Sequence, residues 1–201
     1  MTVSRSSQRT LIQALVFAAL SLSVFANSAL AQWTLDNDAS TLSFVTIKAD
    51  HVAEVHTFDT LSGSVSDAGL VQITIELASV NTLISIRDER MQQMLFETGM
   101  FPRAGISANV DAAMLSSLQV GAIQNASIEF TLTLHGEQKT YTADVQITRL
   151  EPGIQVSTLK PILVQAGDHN LITGVEALRE VAGLPSISQA VPVSFTLAFR
   201  R

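Results

Sequence analysis

The 201-residue chain contains no cysteine, so no disulfide holds it together, and a stable fold must come from buried apolar side chains alone. Basic residues are scarce as well, 12 Lys plus Arg against 18 Asp plus Glu, for a formal charge of -6. A clustered basic face is what nucleic acid and anionic membrane surfaces require, and its lack argues against both as partners. Only one long apolar run exists, near the start, and nothing later approaches the length of a membrane-spanning helix. Familiar catalytic and cofactor signatures are missing too. There is no P-loop, no G-x-G-x-x-G, no haem-attachment motif and no G-x-S-x-G nucleophile elbow. The chain therefore calls for no cofactor and no metal, and no residue stands out as catalytic.

The apolar run has the three parts of a secretory signal. Arg5 and Arg9 supply the positive end, residues 11–25 are almost wholly apolar, and Ala29, Leu30 and Ala31 fit the small-x-small cleavage rule. Residues 1–31 are thus expected to be removed on export to the periplasm or beyond, leaving residues 32–201 as one domain beginning at Gln32. Cleavage takes two arginines and no acids, so 10 Lys plus Arg remain against 18 acids, a charge of -8. The 170 residues left suffice for one domain with a substantial core.

What the mature segment has in quantity is alternation. From residue 128 the apolar groups Ile128, Phe130, Leu132 and Leu134 fall on every second position, with Glu129, Thr131, Thr133 and His135 between them. After the turn-like run Gly136, Glu137, Gln138 and Lys139, the pattern resumes as Tyr141, Ala143, Val145 and Ile147. Two such runs around a short Gly-containing loop form a hairpin with one dry face. A register slip of one residue would expose all of these groups, so the hairpin must close over something apolar.

The rest is mostly short strands. Trp33 and Leu35 open the first; residues 42–49 follow the turn-prone Asp36, Asn37 and Asp38. Residues 58–65 are a weaker candidate, and Val71, Ile73, Ile75 and Leu77 form a clear one after the turn at Gly69. The rhythm breaks at residues 86–96, where Met91, Met94 and Leu95 have helical spacing, Asp88 is a plausible N-cap, and Gly99 and Pro102 close the segment. Strands resume at residues 106–110, in the hairpin, and at 154–164, where Pro161 argues for an edge or bulge. A second short helix fits residues 175–181, stopped by Gly183 and Pro185, before a last strand whose face carries Val191, Val193, Phe195, Leu197 and Phe199. About eight strands with two short helical insertions, joined by connections too short for a parallel sheet, predict an all-β antiparallel barrel, with a sandwich as the competing architecture.

Several motifs resemble the YceI-like family of secreted bacterial proteins. Leu132, Thr133, Leu134, His135, Gly136 and Lys139 look like that family's L-T-L-H-G-x-x-K hairpin. Ser79, Asn81 and Thr82, then Arg87, Asp88 and Met91, then Phe96, Phe101 and Pro102 are similar to its S-x-x-T, R-D-x-x-L, F-F and Y-P series. Trp33, Asp36, Ser40, Phe44 and Lys48 fit its opening strands, and Phe58 and Gly63 its next hairpin. The resemblance implies a lipocalin-like barrel that binds polyisoprenoids or other long-chain lipids.

Burying hydrocarbon gains about 0.8 kcal/mol per methylene, so some fifteen carbons give roughly 12 kcal/mol against an association cost on the order of 4 to 15 kcal/mol. A long tail is therefore what such a barrel can hold by burial alone. Its candidate wall is Phe44, Phe58, Ile73, Ile75, Phe96, Phe101, Phe130, Leu132 and Phe195, residues that would equally fill a dry core. Arg87, Arg90 and Arg103 flank the helix and its exit and are candidate donors to a phosphate head, since Arg suits bidentate phosphate contact; the alternatives are an Arg87–Asp88 structural pair or solvated surface charges. Asp50, His51, His56 and Asp59 do not have a recognised metal-ligand spacing and fit a polar loop. His135 belongs to the hairpin turn, where its ring satisfies backbone groups, and His169 beside Asp168 is half of a charge-relay pair with no nucleophile.

Three readings of function follow. One is a periplasmic or secreted carrier or store for a long-chain apolar ligand: a polyisoprenoid, a fatty-acid derivative or a quinone. Another is an envelope interaction module with a solid barrel whose loops meet a protein partner, such as one in the membrane. The third is a lipid hydrolase using His169 or His135. The oligomeric state stays open: the strand holding Pro161 discourages edge pairing, whereas a rim helix offers a dimer surface.

Overall fold

The computed structural model describes residues 33–201; the expected signal peptide, its cleavage site and Gln32 lie outside the described residues. Eleven strands form one sheet: β1 Trp33–Lys48, β2 Val52–Phe58, β3 Leu61–Val65, β4 Leu70–Glu76, β5 Val80–Asn81, β6 Arg103–Asn109, β7 Ile123–Leu134, β8 Glu137–Arg149, β9 Gly153–Thr158, β10 Ile162–Gln165 and β11 Ala190–Arg200. Neighbours are antiparallel, and the order β11-β9-β8-β7-β6-β4-β3-β1 closes on itself through β1–β11 pairing. The result is an eight-membered closed barrel, which leaves no edge around the ring.

The remaining segments explain the surplus over eight. β2 pairs with the C-terminal half of β1 and β3 with its N-terminal end, so β2 and β3 are one strand bent at Asp59 and Thr60. Asn37 holds the bend, its Nδ2–H donating to the Asp59 carbonyl and its Oδ1 accepting from Leu61 N–H. β9 and β10 likewise follow β11 in succession, broken before Ile162 at Pro161, and β10 ends the sheet. Each bend lets a strand leave the ring and extend one wall upward.

Local expectations are refined in several places. The turn-prone Asp36, Asn37 and Asp38 do not divide β1; they form a bulge. Ser40 spans it, its hydroxyl donating to the Asp36 carbonyl at 2.6 Å and accepting from Ala198 N–H at 3.0 Å, which stitches the bulge to β11. The β7–β8 connection is two residues rather than four: His135 and Gly136 have φ of +51° and +80°, the twist that a tight antiparallel hairpin requires. A Cβ on Gly136 would meet the Phe101 ring at 3.2 Å. The helix α1, Ser85–Arg90, runs into a π turn at Met91–Leu95. Asp88 is not its N-cap; it lies inside the helix, where its carboxylate accepts from the Thr82 N–H at 2.8 Å and the Thr82 hydroxyl at 2.5 Å. A helix α2, Ala112–Ser117, begins at Asp111, whose side chain accepts from Ala113 and Met114 N–H. The last helix, α3, is Ile172–Val181.

The up-and-down order sorts these insertions between the two ends. The turns after β1 and β7, helix α1 and helix α3 all lie at one end, the upper; α2 and the β3–β4 and β8–β9 turns lie at the other. The lower end is shut. Trp33 is buried there with the guanidinium groups of Arg149 and Arg201 over its ring at 4.7 and 4.4 Å, a stacking that neutralises no charge but seals the ring from water. At the upper end α3 lies against the π turn, and Gly174 makes this possible: a Cβ there would stand 2.6 Å from the Met94 carbonyl oxygen.

Candidate functional site

The barrel is hollow. A cavity of about 370 Å³ runs inside it, more than twice the engineered cavity of roughly 150 Å³ that suffices for benzene. Eight strands give an interior that side chains can just fill. Here three inward positions carry only a methyl group, Ala104 and Ala108 on β6 and Ala143 on β8, all buried and all on the cavity wall. The room exists because the sequence puts alanine where leucine would close it.

Of the expected wall, Phe44, Phe58, Ile73, Ile75, Phe96, Phe130, Leu132 and Phe195 line this cavity. Phe101 does not. It packs at a tilt against the His135 ring, 4.3 Å between centroids, outside the cavity, where the hairpin tip at Gly136 also meets it. Arg87 and Arg90 lie on the wall. Arg103 is the second correction among the expected residues: its side chain is 65% exposed and its Nε donates to Glu76 at 2.6 Å, an ion pair on the outer face.

The upper mouth holds residues that strand patterning passed over. The segment around His56, expected to be an irregular polar loop, is strand β2. Inward positions on β1 are Leu42, Phe44, Thr46 and Lys48, and on the paired β2 they are Phe58, His56 and Glu54, with Phe44 opposite His56 and Thr46 opposite Glu54. Polarity thus rises in steps along this wall: hydrocarbon at Leu42, Phe44 and Phe58, neutral polar groups at Thr46 and His56, charge at Lys48 and Glu54. Glu54 Oε2 accepts from Lys48 Nζ at 2.8 Å and from Arg87 Nη1 at 2.7 Å. The Arg87–Glu54 contact ties α1 to β2 across the mouth, and Arg87 Nη2 donates to the Thr82 carbonyl at 2.7 Å in the loop before the helix. The Lys48 hydrogen bond, with the Arg87 charge, holds the Glu54 carboxyl below its usual pKa, so it is ionised. Lys48, Glu54 and Arg87 are a quarter to a third exposed while also touching the cavity, whereas wall residues at the lower end such as Ile147 are sealed. The cavity therefore meets solvent at the upper end.

His56 is the buried polar member of this wall, 3% exposed. Its Nε2 shares a hydrogen bond with Thr46 Oγ1 at 2.9 Å, its ring meets the Phe44 ring at 5.3 Å edge-on, and its Nδ1 has no partner among the described residues. Burial, with the Arg87 guanidinium nearby, lowers its pKa, and the ring is neutral.

The other histidines are structural. His135 Nε2 meets the Glu97 carboxylate at 2.8 Å, so its ring serves a side chain rather than the backbone. His169 is fully buried and bonds Tyr141 through Nε2 at 3.0 Å. Asp168 reaches the Tyr141 hydroxyl at 3.3 Å instead of the imidazole, so no charge relay is formed. Burial above all, with the Asp168 charge, pushes the Tyr141 phenol up to about 12. The cluster pins the turn at Ala166–His169 to β8. Asp50 bonds Ser186 and Asp59 bonds Asn81, so these carboxylates serve loops and do not converge on His51 or His56.

A family model described as the YceI-like domain matches residues 33–199. Among solved structures the chain is similar to a polyisoprenoid binding domain from Saccharophagus degradans implicated in plant cell wall breakdown, with 41% identity over 84% of this chain and 97% of that one and a TM-score of 0.82. It shares its fold with BcnA of Burkholderia cenocepacia, 18% identical over 82% of this chain and 98% of that one, TM-score 0.64. A YceI protein of Campylobacter jejuni is similar at 16% identity over 73% and 84%, TM-score 0.50. No curated protein matches.

Proposed function

The chain belongs to the YceI-like family, and from that premise we propose that it is a binding protein that carries or stores a polyisoprenoid or similar long-chain lipid inside its barrel, after export to the periplasm with residues 1–31 as the signal. The observation that carries this reading is the apolar cavity of about 370 Å³, closed below and open above. Such a volume lies within the range of pockets that enclose most of a small-molecule ligand, and its lining offers a hydrocarbon chain the burial it needs. The polyisoprenoid-binding relative, 41% identical and aligned over nearly its whole length, supports the ligand class. An interaction module would have no use for a hollow interior, and a hydrolase would need a reactive group on this wall beyond a neutral imidazole.

Native mass spectrometry on protein purified without detergent tests the proposal. The expected result is a protein mass carrying one bound lipid, released on collisional activation and identified as an isoprenoid or long-chain species. An empty barrel that also fails to take up added prenols would overturn it. Comparing the mature mass with that of residues 32–201 tests export in the same spectrum.

A further inference from the structure

The steps of polarity along β1 and β2 end in a hydrogen-bonding pocket that the apolar tail does not use. Four buried side-chain nitrogens lack a partner among the described residues, His56 Nδ1, Arg87 Nε, His135 Nδ1 and His169 Nδ1, and of these only the first two belong to residues that line the cavity. Such groups are rare, because an unmet buried donor or acceptor forfeits a hydrogen bond it had in water. On that wall His56 stands level with its cross-strand partner Phe44, one step below Thr46 and Glu54, and Arg87 reaches Glu54 from α1.

We infer that Thr46, His56 and Arg87 form a subsite for an uncharged oxygen head, a hydroxyl or a carbonyl, at the end of the buried tail. This rests on the lipid-binding reading above and specifies which member of that class the barrel prefers. The neutral imidazole carries one proton. If Thr46 donates to Nε2, then Nδ1–H seeks an acceptor; if Nε2 donates to Thr46, Nδ1 seeks a donor. A hydroxyl satisfies either tautomer, and a carbonyl satisfies the first. Arg87 Nε–H adds a second donor with an acceptor still to find.

Charge argues for a neutral head over a phosphorylated one. The two cations nearest His56 along this wall, Lys48 and Arg87, already share the Glu54 carboxylate. A diphosphate drawn down to His56 would be stripped of water in a pocket whose imidazole is neutral, which is costly without a matched cation. Arg90 at the rim makes no ion pair among the described residues, so a preference for diphosphate is the opposing outcome that must be measured.

The test uses lipid-stripped protein and three probes that share a tail: geranylgeraniol, geranylgeranyl diphosphate and the headless hydrocarbon. Expected is an alcohol bound about tenfold more tightly than the hydrocarbon, a difference of about 1.4 kcal/mol, and more tightly than the diphosphate. His56→Leu and Thr46→Val should each bring the alcohol down to the hydrocarbon's affinity and leave the hydrocarbon unchanged. In the intact protein, the 15N resonance of His56 Nδ1 should move on adding the alcohol and stay still with the hydrocarbon. That spectrum decides the matter even if a variant fails to fold. Hydrocarbon and alcohol bound equally, or diphosphate preferred, overturns the subsite and leaves the lipid carrier standing. None of the three bound overturns the carrier itself.

Discussion

Ala143→Leu should make the protein more stable and a worse binder at once. Ala143 is buried on the cavity wall in β8, opposite Ile128 on β7, so a longer side chain there would grow into the cavity. Leucine adds three carbons to that space. Their transfer from water is worth about 2.4 kcal/mol at roughly 0.8 kcal/mol per carbon. Rotamer strain takes back part of it, typically 1 to 3 kcal/mol where a site is full and less where a void accepts the new group. The net for the lipid-free protein is a gain of about 1 kcal/mol, which raises Tm by roughly 2 to 4 °C for a domain of this size. The ligand loses the same three carbons' worth of room. About 2.4 kcal/mol of its burial disappears, a weakening of roughly fiftyfold.

The opposite signs are the point of the experiment. A solid barrel would answer Ala143→Leu with overpacking, and stability would fall. Thermal unfolding of stripped protein and titration with a fluorescent prenol give the two numbers. A lower Tm, or an unchanged Kd beside a raised Tm, would refute the claim that this alanine keeps space open for the tail. Ala108→Leu, on β6 with only β7 between it and β8, should behave alike.

Acid should loosen the fold through two buried rings. Burial lowers the pKa of both His56 and His169 from the ordinary 6.5. The unfolded chain therefore binds more protons than the folded one below that value, and stability falls as pH drops from about 6.5, by up to about 1.4 kcal/mol per pH unit for each ring. Urea midpoints at pH 7.5, 6.5 and 5.5 measure the slope, which His56→Leu should roughly halve; a flat profile contradicts the neutral-ring assignment. Gly174→Ala should push α3 off the π turn, since the new Cβ would meet backbone atoms at 2.6 and 2.8 Å. A loss of about 2 kcal/mol, read as a Tm drop of roughly 4 to 8 °C, is expected together with faster lipid release. Stripping bound lipid from the unaltered protein should also lower Tm, because a ligand at a thousand times its Kd adds about 4 kcal/mol; identical melts before and after extraction would speak against occupancy.

How much of this was legible beforehand depended on which side of each strand was wet. β7, β8 and β11 show clean alternation because their outer faces meet water and their inner faces meet hydrocarbon. β2 inverts the rule. Its outward Val55 is 67% exposed while its inward positions are Glu54 and His56, since at the mouth the inside of the barrel is the polar side. Alternation read as dry-side-in then finds no strand, and the residues of the candidate head-group pocket disappear into a supposed loop. Asp36, Asn37 and Asp38 misled differently: their turn chemistry is real, yet Ser40 and Asn37 spend it on a bulge and a strand bend. The helix α2 is not expected from the sequence at all: Asp111 caps it, but a single turn-and-a-half between two strands leaves too little apolar periodicity to be seen. The eight-membered ring itself follows from the short connections. Its hollowness does not, because Ala104, Ala108 and Ala143 look like any small core residue until the opposing walls are in place.

Holding that space open is costly, and the cost bears on what the fold is for. At about 24 cal/mol per Å³ of unfilled core, a void of about 370 Å³ forgoes about 9 kcal/mol, comparable to the whole stability of an ordinary domain at 5 to 15 kcal/mol. A chain with no cysteine has no covalent constraint to offset this loss. Leucine at three wall positions would recover much of it, and substitutions of that kind are easily reached. That the wall keeps alanine there, and places a buried imidazole with an unpartnered Nδ1 where a fourth apolar group would fit, means the empty barrel is an unfinished core. A bound chain with one oxygen at its end supplies the missing contacts along the tail and the missing hydrogen bonds at the head.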